Sequence, residues 1–298
     1  MREIGAWFGL EGLADAPRQV AVLGCPFDGA ATGRGGSADG PEAIRKWAST
    51  EEAIDEYGRL LSGVGIEDLG DVDAAGKPPL TAIHDAAIDA IADGTTTLLG
   101  LGGDHAVTIA LASAVAQRHG EMAFVMLDAH ADCFADYGGD PESHACTVAR
   151  LWNLGALRPE HTALVGLRSY ATPELDQIAV SGLAVPGAEW LATGAAMVGH
   201  RVLEVVGGRP LYLSIDIDVL DPSAAPGTGY PVAGGPTSRQ LLDLLAVIVP
   251  ACNVVGVDLV EVAPGLEDSD ITAATAAHVL LQVLGGIGQR GSQGRVAE

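Results

Sequence analysis

Met122-Ala123-Phe124-Val125-Met126-Leu127 runs without a polar residue into Asp128-Ala129-His130-Ala131-Asp132. A short, wholly apolar run that ends at once in two carboxylates and an imidazole reads as a strand buried on both faces, feeding a reactive loop. The pattern recurs along the chain. Residues 20–23 precede Gly24-Cys25-Pro26-Phe27-Asp28, and residues 95–101 precede Gly102-Gly103-Asp104-His105. Residues 162–165 precede Gly166-Leu167-Arg168, and residues 211–215 precede Asp216-Ile217-Asp218. Residues 254–260 carry Asp258 and lead into Glu261. Helical patterns lie between the runs, at residues 41–48, 82–93, 107–119, 201–206 and 239–249, the last after Thr237-Ser238, which suit an N-cap. Strands alternating with helices predict a three-layer α/β/α fold around a central, mainly parallel sheet.

No composition break or long linker divides residues 1–298, which predicts one domain. The glycine-rich tail, residues 285–298, is expected to fray. With 48% hydrophobic but only 4% aromatic residues, the core must be packed by Ala, Val, Leu and Ile. A formal charge of −23 excludes nucleic-acid binding, which needs a basic surface. That charge fits either a field that draws cationic substrates or plain solubility in salt. The four cysteines have no paired zinc spacing and predict reduced thiols and a cytoplasmic location. The opening Met1-Arg2-Glu3-Ile4-Gly5-Ala6-Trp7 does not read as a signal peptide. The most apolar stretch, residues 241–252, is interrupted by Asp243 and Pro250 and is too short to span a bilayer of roughly 30 Å.

In open α/β sheets, sites form outside the carboxyl ends of the strands. Three clusters fall there and supply His105, Asp128, His130, Asp132, Asp216 and Asp218. Hard carboxylates mixed with imidazoles suit a borderline divalent ion such as Mn²⁺, Fe²⁺, Co²⁺ or Ni²⁺. Four carboxylates and two imidazoles are too many for one ion and suit two with shared bridges, a site that activates water. If strand geometry continues past Leu127, the alternation of Asp128, His130 and Asp132 turns all three to one side. Buried neighbouring carboxylates would otherwise repel and take up protons.

The sequence resembles the arginase–agmatinase, or ureohydrolase, family, and in motif its agmatinase-like members. Three motifs carry the resemblance: Leu-Gly-Gly-Asp-His at 101–105, Leu-Asp-Ala-His-Ala-Asp at 127–132, and Ser-Ile-Asp-Ile-Asp-Val-Leu-Asp-Pro at 214–222, continued by Ala-Pro-Gly-Thr-Gly to 229. The resemblance implies an arginase/deacetylase-like fold, a homo-oligomer (trimer or hexamer) and two Mn²⁺ ions per chain. His105, Asp128, Asp132 and Asp216 would hold one ion. Asp128, His130, Asp216 and Asp218 would hold the other, with Asp128 and Asp216 bridging. It implies hydrolysis of a guanidino group by a metal-bridging hydroxide, releasing urea and an amine. His144 aligns with the family's proton-shuttle histidine, Glu261 with the glutamate that grips the guanidinium, and Asp132 with a transition-state partner. Asp104 and Asp221 are read as neighbours that orient the ligands.

The resemblance also bears on the substrate. Where arginases place an Asn that helps hold the amino-acid carboxylate, this chain has Phe134. Where they place an Asp for the α-amino group, it has Ser169-Tyr170. Family members usually carry Gly-Thr-Gly-Thr-Pro where this chain has Gly227-Thr228-Gly229-Tyr230-Pro231. A small cationic guanidino substrate is therefore expected, agmatine or a related guanidino-alkyl compound. The alternatives are an arginase, a formiminoglutamase or a different di-metal hydrolase such as a phosphoesterase. A phosphoesterase would want Arg or Lys clamps near these motifs, and few are present. A non-catalytic binding protein would not need the full ligand set. Gly33-Arg34-Gly35-Gly36 lacks the ending of a P-loop and is read as an entrance loop.

Overall fold

The computed structural model describes residues 7–293 except 12, 14, 17 and 92–94. Its strands are β1 (Arg18–Cys25), β2 (Val64–Asp71), β3 (Thr97–Gly102), β4 (Ala123–Leu127), β5 (Thr162–Leu167), β6 (Leu183–Pro186), β7 (Pro210–Asp216) and β8 (Asn253–Val260). Its helices are α1 (Gly40–Ala48), α2 (Pro79–Ala90), α3 (Val107–His119), α4 (Thr147–Asn153), α5 (Leu175–Val180), α6 (Gly187–Thr193), α7 (Ala195–Val206), α8 (Ser238–Ile248) and α9 (Ile271–Gln293). The strands form one sheet in the order β2-β1-β3-β8-β7-β4-β5-β6, and every pair is parallel.

The period of two within each apolar run builds two cores from one sheet. Val125 and Leu127 of β4 face one way, with Leu99, Leu101, Leu213 and Ile215, against α1, α7, α8 and α9. Phe124 and Met126 face the other way, with Leu98, Leu164 and Tyr212, against α2, α3 and α4. Helices on both faces make the three layers expected.

Six strands lie where the apolar runs predicted them, and two do not. Both exceptions, β2 and β6, are the sheet's edges. An edge strand needs no second apolar face. Accordingly β2 carries Glu67, Asp68 and Asp71 and is buried only in its first half. Arg45 of α1 pairs with Asp68 at 2.7 Å and covers that edge with charge.

The tail departs from expectation too. Residues 285–293 complete α9, while residues 294–298 lie outside the described residues. The glycines mark close approach rather than fraying. A Cβ on Gly286 would stand 2.7 Å from Val249, and one on Gly288 would stand 2.3 Å from the Ser62 carbonyl. Within α9, Ile271–Arg290 is the one helix among the described residues long and apolar enough to cross a membrane; 72% of its most apolar window is buried inside the fold. Its apolar surface is spent on the core, where Ala276, Leu280 and Val283 are fully covered.

Candidate metal centre

The six residues named from sequence meet at the carboxyl ends of β3, β4 and β7, which lie close together in the sheet order. His105 follows β3 in the turn to α3. That turn requires its glycines: a Cβ on Gly103 would stand 1.8 Å from the Phe27 carbonyl oxygen. The same carbonyl accepts from Asp104 N at 2.7 Å, which ties the β1 loop to the β3 loop.

His105 Nδ1 lies 3.1 Å from Asp128 Oδ2, 3.0 Å from Asp132 Oδ2 and 3.4 Å from Asp216 Oδ2. His130 Nδ1 lies 3.1 Å from Asp218 Oδ2 and 3.5 Å from Asp128 Oδ1. Two groups therefore stand ready for cations, His105–Asp128–Asp132 and Asp128–His130–Asp218, and they share Asp128. Asp216 joins the first through His105. Its Oδ1 accepts from Asp218 N at 2.8 Å, which ties Asp216 to the second group as well.

The convergence of Asp128, His130 and Asp132 does not come from a strand pleat. β4 ends at Leu127, and Asp132 sits in the left-handed region at φ 50°. Asp216 ends β7, while Ile217–Val219 winds into a 3₁₀ turn that brings Asp218 back. Glu261, just past β8, is also left-handed at φ 64°. Such conformations cost non-glycine residues roughly 1–3 kcal/mol and persist where surroundings hold them. Glu261 N donates to Gly103 O at 2.8 Å, and Asp132 O accepts from Val148 N at 2.9 Å.

Burial and mutual charge dominate the electrostatics. Burial works against charge on Asp128, yet His105 and His130 hold its carboxyl well below the usual range. Burial, then Asp128, pushes Asp218 up to about 6. Burial, then Asp218 and Asp128, raises Asp216 well above the carboxylate range. Burial opposes a second proton on His130, but Asp128 and Asp218 outweigh it and push the imidazole up to about 12. His105 Nδ1, Asp128 Oδ2 and His130 Nε2 are buried without a hydrogen-bond partner. A buried polar atom left unpaired is costly, and divalent cations between these atoms would satisfy two of them and neutralise the carboxylates. The donor set and its orphaned atoms fit a pair of such ions.

A cavity of about 260 Å³ opens over this cluster, lined by His130, Asp132, Asp216 and Asp218. His144 and Glu261 line it as well. His144 Nδ1 lies 2.9 Å from Glu261 Oε1, and its Nε2 lies 2.7 Å from Thr32 Oγ1. Burial works against a proton on His144, but Glu261 wins and pushes it up to about 8. The Thr32 backbone N–H, 3.0 Å from Nε2, opposes a second proton at that atom. Phe134, Ser169 and Tyr230 also face the cavity, and Tyr230 meets His130 edge-on at 5.2 Å. A larger cleft of about 730 Å³ near α2 and α3 is lined by none of these residues.

A model of the arginase family matches residues 18–285. The chain belongs to the arginase family. An agmatinase of Chromobacterium violaceum is 35% identical over 273 residues, 89% of this chain and 82% of that protein. An agmatinase of Photorhabdus laumondii is 37% identical over 275 residues, 88% and 85%. Among solved structures, proclavaminate amidino hydrolase from Streptomyces clavuligerus superposes with a TM-score of 0.86 at 29% identity, covering 96% of this chain and 98% of that one.

Within this arginase-family site, two expected orienting residues do something else. Asp104 accepts from Ala30 N at 2.8 Å and Ala106 N at 3.0 Å, so it pins the loop after β1 and the start of α3. Asp221 accepts from Ser223 N and Gly234 N and braces a surface loop. Both side chains hydrogen-bond to residues other than the six. Two residues to which the sequence assigns no role help build the site. Glu174 is buried and accepts from Cys133 N and Ala171 N, each at 3.1 Å, beneath the cavity wall. Nothing local in its sequence marks it. Asp258 hydrogen-bonds three hydroxyls, and its signal was legible: a carboxylate inside an otherwise apolar strand must find donors.

Proposed function

We propose that this chain hydrolyses the guanidino group of a small cationic substrate, releasing urea and an amine. His105, Asp128, Asp132 and Asp216 would hold one Mn²⁺ ion, and Asp128, His130, Asp216 and Asp218 the other. The observation that carries the reading is one cavity lined both by this cluster and by the His144–Glu261 pair. When bound, the ions supply a water acidic enough to ionise near neutral pH.

The chain's own groups do the rest. Glu261 spends Oε1 on His144 and on His105 N–H, which leaves Oε2 to accept from one guanidinium nitrogen. Asp132 offers a second acceptor at the same centre. His144, kept basic by Glu261, carries the proton that the departing amine requires. His144→Asn is expected to lower kcat by about 100-fold while two ions remain by metal analysis. A loss under about threefold would remove His144 from the proton transfer.

The cavity wall narrows the substrate. Among the described residues no Lys or Arg lines it, so a substrate carboxylate would meet Glu174 and the aspartates without a basic side chain to pair with. Phe134, Tyr137, Tyr170 and Tyr230 offer ring faces to a cationic or alkyl tail. Agmatine or a related guanidino-alkyl compound fits this wall better than arginine or formiminoglutamate. The Mn²⁺-loaded protein is expected to release urea from agmatine with kcat/KM at least about 100-fold above that for arginine. Guanidinobutyrate and formiminoglutamate, assayed for urea and formamide, complete the panel. No product from any of the four would refute the activity, and arginine as best substrate would refute the specificity alone. The resemblance extends this proposal to a single domain, a trimer or hexamer, and the cytoplasm.

A further inference from the structure

His105 has a second nitrogen, and its partner leads into the sheet. Nε2 lies 2.9 Å from Ser214 Oγ, on β7. Ser214 in turn donates to Asp258 Oδ1 at 2.7 Å. The two residues are direct partners in the β7–β8 register, so the strand pairing itself sets their contact. Tyr212, two residues earlier on the same face of β7, donates to Asp258 Oδ2 at 2.6 Å. Thr108, in the first turn of α3, donates to the same oxygen at 2.8 Å. All five side chains are fully buried. On the neighbouring strand, Gly100 leaves room: a Cβ there would stand 3.2 Å from the Asp258 Cβ.

Counting protons decides the direction of the chain. Each hydroxyl owns one proton, and an ionised carboxylate can only accept. Three hydroxyls therefore spend their protons on Asp258, and Ser214 has none left for His105. Ser214 Oγ can only accept, so His105 Nε2 must donate. With the proton on Nε2, a neutral His105 presents a lone pair at Nδ1, the atom that faces Asp128, Asp132 and Asp216.

We propose that Asp258 is a positioning residue that acts through Ser214: it fixes the proton of His105 on Nε2 and aims Nδ1 at a cation. The proposal rests on His105 serving as a ligand, as set out above. Partners that orient a metal-bound imidazole are worth about 10–100-fold in metal affinity. The alternative is that Asp258 merely pins α3 to the sheet.

Calorimetric titration of the chelated protein with Mn²⁺ separates the two. Wild type is expected to bind two ions. Ser214→Ala is expected to bind one of them about 10–100-fold more weakly and the other within about threefold, because His130 lies outside the chain of contacts. Ser214→Thr keeps the hydroxyl and should restore the lost affinity, whereas a pinning role predicts that the larger side chain does no better than alanine. Both ions bound by Ser214→Ala as tightly as by wild type would overturn the proposal and leave the metal reading intact. A wild type that binds no Mn²⁺ would overturn both. Should Ser214→Ala not fold, Tyr212→Phe decides: loss of one donor to Asp258 is expected to weaken the same ion about threefold, and unchanged affinity would overturn the proposal.

Discussion

Asp128→Asn is expected to remove both ions from the folded protein and to cut turnover by about 1000-fold or more. The two oxygens of Asp128 face different groups. Oδ2 lies 3.1 Å from His105 Nδ1 and is otherwise without a partner, while Oδ1 lies 3.5 Å from His130 Nδ1. An asparagine has one acceptor oxygen and would turn an N–H₂ group toward one of the two sites, where it repels a cation. The fold should tolerate the change, because the remaining oxygen can still accept from His130 N, as Oδ1 does at 2.6 Å. Asp243→Asn is the control, since Asp243 pairs with Arg239 on the exposed side of α8, away from the cluster. Metal analysis and urea release measure the outcome. Two ions retained in Asp128→Asn, or turnover within tenfold of wild type, would show that Asp128 is not shared between sites.

Chelation should lower the thermal midpoint substantially, and more so at higher pH. Two ions held at roughly 100 times their dissociation constants contribute about 2.7 kcal/mol each. At about 2–4 °C per kcal/mol for a chain of this size, the midpoint should fall by about 10 °C or more at pH 8. The pH sign follows from the cluster. Asp218 titrates near 6 in the folded chain against 3.8 in an unperturbed one, through burial and Asp128. Between those values the folded state holds a proton that the unfolded state has released, so stability falls as pH rises. Asp216, raised well above 3.8, acts in the same direction. His130 extends the loss upward: its contribution is complete below 6.5 and declines as pH rises toward about 12. Asp128, held low, acts with the opposite sign, but its window lies below pH 3.8. Cations need deprotonated ligands and bind more tightly as pH rises. The gap between loaded and chelated melting temperatures should therefore widen from pH 5 to pH 8. A constant or shrinking gap, by scanning calorimetry, would mean that these carboxylates are not the ligands.

Much of this site was legible because a central strand of a parallel sheet cannot be polar on either face. The run ending at Leu127 could be little else, and the carboxylates after it had to lie at a strand end. The edges obey no such rule. β2 carries three acidic residues and β6 spans only Leu183–Pro186, so neither stood out as an apolar run. The glycines of α9 read as a loose tail because a sequence does not show which atoms approach a helix from outside. Asp128, His130 and Asp132 lie close together in the fold, but a left-handed turn at Asp132 gathers them rather than the pleat that the sequence suggests.

By itself, then, the sequence determined the layer architecture and the identity of the converging side chains. Both follow from local chemistry: continuous apolar runs demand burial, and carboxylates beside imidazoles demand a cation. Only the tertiary structure decided which of these side chains stand together and what lies behind them. The β7–β8 register places Ser214 opposite Asp258, and the turn of α3 brings Thr108 to the same carboxylate. Those contacts join residues 44 and 150 positions apart. They depend on strand order and register, which arise from packing the whole sheet at once.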